Sequence, residues 1–185
     1  MSARSCLMIV LAAGEGTRMR SEIPKVLHEI GGRSMVGHVV AAARGAGADQ
    51  LAVVVGPGMG AVAEAVRKLA PGASIFTQVE RRGTAHAVLM ARTAIEQGAA
   101  EVLVLFGDTP LVTPETLDRV RCTLEAGADV AVLGFRTERP TGYGRLLTEG
   151  ERLVAIREEK DATPAERAVT FCNSGIMGFR GATML

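Results

Sequence analysis

Three features of this 185-residue chain combine residue types that can do chemistry. They are a basic glycine-rich loop, an aspartate behind an apolar run, and a glutamine just ahead of a second glycine. Residues 7–25 read LMIVLAAGEGTRMRSEIPK. An apolar run ends in the small residues Ala12, Ala13 and Gly14. A loop with Gly16, Thr17 and Arg18 follows and closes at Pro24 and Lys25. Two positions without a side chain let backbone N–H groups come close to an anion, and Arg18 and Lys25 bring positive charge to the same place. A strand ending in such a loop is suited to seating a phosphate. The loop lacks the third glycine of G-x-G-x-x-G and has no G-K-[ST], so it is neither a dinucleotide fingerprint nor a P-loop.

Asp108 sits in LFGDTPL, just past an apolar run, with glycine before it and proline two residues after. A carboxylate held there is a hard oxygen donor for Mg²⁺, which binds through one or two carboxylates and phosphate oxygens. The same placement also fits a turn aspartate bonded to its own backbone. Gln78 precedes Gly83, Thr84, Ala85 and His86. Its amide both donates and accepts, as reading a base edge requires, and Gly83 would let backbone approach the base. The Thr84 hydroxyl either meets a ligand or caps the helix that follows. His28, His38 and His86 read as packing residues. Residues 140–145, PTGYGR, form either a hairpin corner or a loop that closes on a sugar. Glu158, Lys160 and Asp161 read as a charged surface run, and Asn173 to Ile176 as a strand with a bulge.

The elements that must carry these residues follow from periodicity. Short apolar, β-branched runs at 7–11, 51–55, 74–77, 102–106 and 130–135 predict strands. Apolar residues at helical spacing predict helices over 34–46, 60–70 and 84–97. A further helix begins at Thr113, with Pro114 in its first position and Glu115 in its first turn. This alternation predicts an α/β fold: a Rossmann-like, mainly parallel sheet with helices on both faces. Ligands bind such sheets beyond the carboxyl ends of the strands, and both the 14–18 loop and Asp108 follow strands. After residue 136 the rhythm changes. A hairpin over 145–156, a helical turn at 163–166 and a strand over 170–179 predict a small β-rich flap.

Composition sets bounds. Apolar residues make up 48% of the chain, enough for one domain with a real core. Lys and Arg total 21 against 20 Asp and Glu, a balance that excludes a general nucleic-acid surface. No apolar stretch reaches the ~20 residues that span a bilayer. The apolar run near the N-terminus is short and continues into a charged loop, unlike a signal peptide. Cys6, Cys122 and Cys172 are odd in number and form no C-x-x-C pair. They read as reduced thiols of a cytoplasmic protein.

The stretch L-A-A-G-x-G-T-R-M-x-x-x-x-P-K resembles the signature of the sugar-phosphate nucleotidyltransferases. Together with IPKVLH, Gln78 with GTAHAV, GDTPL, PTGYGR, EEKDAT and NSGI, it makes residues 11–176 similar to one branch. That branch is the uridylyltransferase domain of the bifunctional N-acetylglucosamine-1-phosphate uridylyltransferase/glucosamine-1-phosphate acetyltransferases. The resemblance implies the nucleotide-diphospho-sugar transferase fold, a flap that binds sugar, and Mg²⁺-dependent transfer of UMP from UTP to N-acetylglucosamine 1-phosphate. The products are UDP-N-acetylglucosamine, a precursor of peptidoglycan and lipopolysaccharide, and pyrophosphate. It implies that Leu11, Ala12, Ala13 and Gly14 contact uridine and phosphates. Gln78, Gly83 and Thr84 would read uracil. Arg18 and Lys25 would be the catalytic cations, and Asp108 would ligate Mg²⁺ beside Phe106 and Gly107. Gly144, Glu158 and Asn173 would hold the sugar.

Two departures stand out. Glu15 occupies a position where many members carry a basic residue. The chain also ends at Leu185, short of the family's second metal ligand and of its β-helix acetyltransferase domain. The expectation is a single nucleotidyltransferase domain over 1–185, incomplete at its C-terminus. It would be monomeric, although the parent is a homotrimer. Two alternatives stay open: a related nucleotidyltransferase for another base or sugar, and a module that binds UDP-sugar with little turnover.

Overall fold

Strand β1 (Cys6–Ala12) is apolar throughout and buried at all seven positions. A strand buried on both faces needs strands at its edges and helices above and below. The computed structural model describes residues 4–14, 16, 19–80, 82–150 and 152–184, and in it β1 has both. A 3-10 turn, Lys25–Leu27, follows the glycine-rich loop. Next comes a small hairpin of β2 (Glu29–Ile30) and β3 (Arg33–Ser34). It turns on Gly31 and Gly32, with φ of +59° and +76°. The hairpin is not expected from the periodicity, although paired glycines are the signal of a type I′ hairpin. Helix α1 (Met35–Gly45) starts where Ser34 Oγ accepts the Gly37 N–H.

The chain continues through β4 (Gln50–Val55), α2 (Gly60–Leu69) and β5 (Ser74–Thr77). After these come α3 (Thr84–Met90), α4 (Arg92–Ile95), β6 (Glu101–Phe106) and α5 (Pro114–Glu125). Two expectations are corrected here. The helix expected over 84–97 is two helices, divided at Ala91. Thr84 does not cap it. The cap position is Gly83, at φ +99°, with no side-chain bond to the helix. At α5, by contrast, Thr113 does accept the Thr116 N–H, ahead of Pro114 and Glu115.

The remaining elements are β7 (Val130–Arg136), β8 (Arg145–Glu149), β9 (Arg152–Arg157), α6 (Pro164–Arg167) and β10 (Phe171–Arg180), with 3-10 turns at Glu159–Asp161 and Gly181–Thr183. The chain forms two compact units. One comprises Met1–Ala131 with Met177–Leu185, the other Val132–Ile176.

In the first unit the strand order is β5-β4-β1-β6, all parallel, with residues 177–180 of β10 antiparallel on β6. Leu7, Ile9 and Leu11 of β1 join Ala87 of α3, Ala91 at the division, and Ala94 and Ile95 of α4 in one buried cluster. The alternating residues Met8 and Val10, also fully buried, serve the other face. There α1 packs on β1, α2 and α5. In the second unit, β8 and β9 form the expected hairpin, turning on Gly150 at φ +60° with a bulge between Leu147 and Thr148. Thr163 and Glu166 form a capping box at α6.

At the amino ends of the strands, the fully buried Glu101 pairs with Arg121 of α5, Nε to Oε2 at 2.8 Å. Arg121 also donates to the carbonyls of Ala46 and Arg4, at 2.7 and 3.1 Å. One residue thus ties α5 to β6, to the end of α1 and to the start of the chain. Beside it, burial pushes the Cys6 thiol up to about 12. Removing Arg121 would strand a buried carboxylate. Arg121→Ala is expected to cost about 3–5 kcal/mol, read as a lower midpoint in urea unfolding. Of the three free thiols only Cys122 is exposed. Iodoacetamide at pH 8 is therefore expected to label Cys122 alone in the native chain and all three after denaturation, as mass spectrometry would show.

Candidate functional site

In the first unit the chain order reverses across the sheet between β1 and β6. The two strands that lead away from β1 on one side are β4 and β5, and β6 lies on the other. A parallel sheet opens a crevice at such a switch point. Leu11 pairs with Phe106 in register, and the Gly107 N–H donates to the Leu11 carbonyl at 2.9 Å. A Cβ on Gly107 would stand 3.3 Å from both Ala12 Cβ and the Leu11 oxygen. Glycine at 107 therefore lets the two strand ends close up, and it presents Asp108 next to the end of β1.

Lys25 reaches the same place from the 3-10 turn. Its Nζ lies 2.6 Å from Asp108 Oδ2, with both side chains about a third exposed (32% and 34%). Exposed pairs of this kind are worth roughly 0–1 kcal/mol, so this one sets position more than stability. Gly16 fixes the approach of Lys25. It adopts φ +62°, and a Cβ there would land on Lys25 Cβ. Gly14 is different. Its φ is ordinary, and a Cβ would meet nothing within 4 Å.

Gln78 follows β5, its N–H bonded to the Val55 carbonyl at 2.9 Å. It is buried. Its Nε2 lies 3.2 Å from the Gly83 carbonyl and 3.2 Å from His86 Nδ1. His86, read from sequence as packing, is thus a hydrogen-bond partner of Gln78. One cavity of about 320 Å³ is lined by Leu11, Ala12, Ala13 and Gly14, by Lys25 and Asp108, by Gln78, Gly83 and Thr84, and by Phe106. Val26 and Ala87 also line it. Neither is expected at the site, although Val26 adjoins Lys25 and Ala87 lies three residues past Thr84. Gly107 does not line the cavity; it packs behind. Arg18 and Glu15 lie outside the described residues.

Gly144, Glu158 and Asn173 belong to the second unit, which brings them together. The Asn173 N–H donates to the Gly144 carbonyl at 2.8 Å, and a Cβ on Gly144 would stand 3.1 Å from Glu158 Oε1. The buried Arg145 organises this corner. Its guanidinium bonds the Tyr143 carbonyl, donates twice to the Arg167 carbonyl at 3.4 and 3.3 Å, and lies 3.6 Å from Glu159 Oε2. Glu159 in turn accepts from the Gly142 N–H. Within β10, Gly175 takes φ +85° and donates its N–H to Asn173 Oδ1 at 2.9 Å.

Among the described residues no three His, Cys, Asp or Glu side chains gather as a metal centre. Among the described residues that line the cavity, Asp108 alone presents a hard carboxylate. That donor suits a cation completing its shell with water and ligand oxygens.

The fold has solved counterparts. UDP-glucose pyrophosphorylase in complex with UDP-glucose superposes with a TM-score of 0.78 at 18% identity, over 96% of this chain and 77% of that one. CMP:2-keto-3-deoxy-manno-octonic acid synthetase in complex with CTP gives 0.73 at 20%, over 97% and 76%. The architecture is therefore the nucleotide-diphospho-sugar transferase fold. The MobA-like NTP transferase domain matches residues 8–169, and the chain belongs to that family. Over all 185 residues it is 63% identical to the bifunctional protein GlmU of Xanthobacter autotrophicus and 60% identical to that of Azorhizobium caulinodans. It spans about two fifths of the length of these relatives, 41% in each case.

The two loop glycines should separate in the laboratory. Gly16→Ala is expected to cost about 1–2 kcal/mol through its left-handed backbone, and more as Lys25 is displaced. Gly14→Ala should stay within about 0.5 kcal/mol of the parent. Urea unfolding of the two variants checks both values.

Proposed function

We propose that this chain carries a uridylyltransferase site that moves UMP from UTP to N-acetylglucosamine 1-phosphate, releasing pyrophosphate. One observation carries the reading. A single cavity at the carboxyl ends of the strands joins a Lys25–Asp108 pair, 2.6 Å apart, to the buried amide of Gln78. Charge for a phosphate chain and an amide for a base thus share one enclosure. The extent of identity to the GlmU proteins supports this choice within the family.

In the reaction a phosphate oxygen of the sugar phosphate bonds to the α-phosphorus of UTP as the bond to the β-phosphate oxygen breaks. Both electrons of that bond leave with pyrophosphate. The nucleophile is already an anion, so no side chain need form a covalent intermediate. Catalysis then rests on alignment and charge stabilisation. The open backbone at Gly14 would take the phosphates without a side chain in the way. Lys25 would neutralise charge on the triphosphate, with Arg18, by the sequence resemblance, on the departing pyrophosphate. Gln78, Gly83 and Thr84 would hold the uracil, and Phe106 would form an apolar wall. Asp108 would hold Mg²⁺, which supplies charge neutralisation at the phosphates when bound. We assign sugar recognition to Gly144, Glu158 and Asn173. UDP-N-acetylglucosamine feeds peptidoglycan and lipopolysaccharide synthesis, a role that fits a cytoplasmic enzyme; no described helix is long and apolar enough to cross a membrane.

The test is pyrophosphate release by the 185-residue chain with UTP, N-acetylglucosamine 1-phosphate and Mg²⁺, each omitted in turn. Release that needs all three is the expected result. Release without the sugar phosphate, or faster release with CTP or GTP, would overturn the reading. Asp108→Asn is expected to lower turnover by about 10²-fold or more while unfolding at an unchanged urea concentration.

A further inference from the structure

Gln78 meets the cavity with one end already committed. Its Nε2 lies 3.2 Å from the Gly83 carbonyl. A carbonyl oxygen only accepts, so the amide atom turned toward it must be the NH₂. The same nitrogen lies 3.2 Å from His86 Nδ1. Both amide protons are then used, one on Gly83 and one on His86. Nδ1 must be the bare ring nitrogen, with the ring proton on Nε2. The reverse orientation would set the Gln78 oxygen against the Gly83 oxygen with no proton between them. Gly83 is built for this contact. It adopts φ +99° and ψ −178°, which only glycine takes freely, and nothing lies within 4 Å of where a Cβ would stand. Among the described residues no group donates to Gln78 Oε1. Gln78 therefore offers the cavity a carbonyl oxygen.

We propose that His86 is a positioning residue for base selection. With the Gly83 carbonyl it locks the Gln78 amide so that an acceptor faces the ligand. The cavity then takes a base with a ring N–H at that edge, the imide of uracil or thymine, and rejects cytosine, whose corresponding ring nitrogen is itself an acceptor. This rests on the nucleotide reading above and adds to it a residue and a reason. His86 touches neither base nor phosphate in this scheme. It acts by fixing which end of Gln78 is shown.

The test measures Kd for UDP and CDP on the full chain by calorimetry. Tighter binding of UDP by the parent is the expected starting point. His86→Leu removes the acceptor and keeps the bulk. The UDP-over-CDP preference is then expected to narrow about three- to tenfold, the size of one lost hydrogen bond. His86→Asn, whose side-chain oxygen can stand where Nδ1 stood, should restore most of it. If His86→Leu weakens both nucleotides equally and leaves the ratio unchanged, His86 is merely structural and the proposal falls. Nitrogen-15 NMR of the unmodified chain gives a second reading that no folding defect can confuse. His86 should carry its proton on Nε2, and a proton on Nδ1 would overturn the proposal. If the parent itself does not discriminate UDP from CDP, the uridine reading fails first, a result distinct from a failure at His86.

Discussion

The Gly107 N–H and the Leu11 carbonyl join two strand ends by a single hydrogen bond of 2.9 Å, where chain order reverses across the sheet. That closeness depends on a missing side chain: a Cβ at 107 would press on Ala12 and on the Leu11 oxygen. Asp108 comes next in the chain, so its carboxylate is delivered to the end of β1 by backbone geometry. Lys25 is delivered by a separate constraint, the left-handed Gly16 lying against its stem. Backbone geometry thus brings each group to the cavity, and the ion pair sets only how the two side chains meet there, which agrees with the small stability expected of a partly exposed pair.

Both units solve a similar problem with an arginine. In the first, Arg121 gathers a carboxylate and two backbone carbonyls at the amino ends of the strands. In the second, Arg145 gathers the carbonyls of Tyr143 and Arg167 near Glu159. A guanidinium has five N–H donors in a fixed fork, so one side chain can serve several segments that share no element. Turns and loops with few apolar residues gain fixed geometry this way.

Much of this fold is legible from the sequence because parallel strands buried on both faces read as unbroken apolar runs, as at 7–11 and 102–106. Capping is legible at Thr113 and Thr163, where side chain, proline and acid stand in fixed order. The break at Ala91 is not, since neither glycine nor proline marks it. Residues 13, 14, 78, 83, 84 and 108 could be singled out because each stands just past a strand or at the start of a helix, whereas Leu11 and Ala12, at the end of β1, enter through the family resemblance. His86 could not. Its partner lies eight residues earlier, at the end of a strand, and only the fold turns the two side chains together. Arg145 and Glu101 are hidden for the same reason: a charged residue in a strand reads as exposed until its distant partners are known.

The Lys25–Asp108 pair has a consequence for how charge is managed at the cavity. The two opposite charges cancel locally, and solvent screens their attraction. An anionic ligand that drew Lys25 away would free the carboxylate to hold a cation of its own. Binding would then be an exchange of counterions, each charged side chain trading its partner for a new one. A chain of net charge +1 can handle highly charged molecules on those terms without a broad basic surface, and without the indiscriminate attraction to polyanions that such a surface brings.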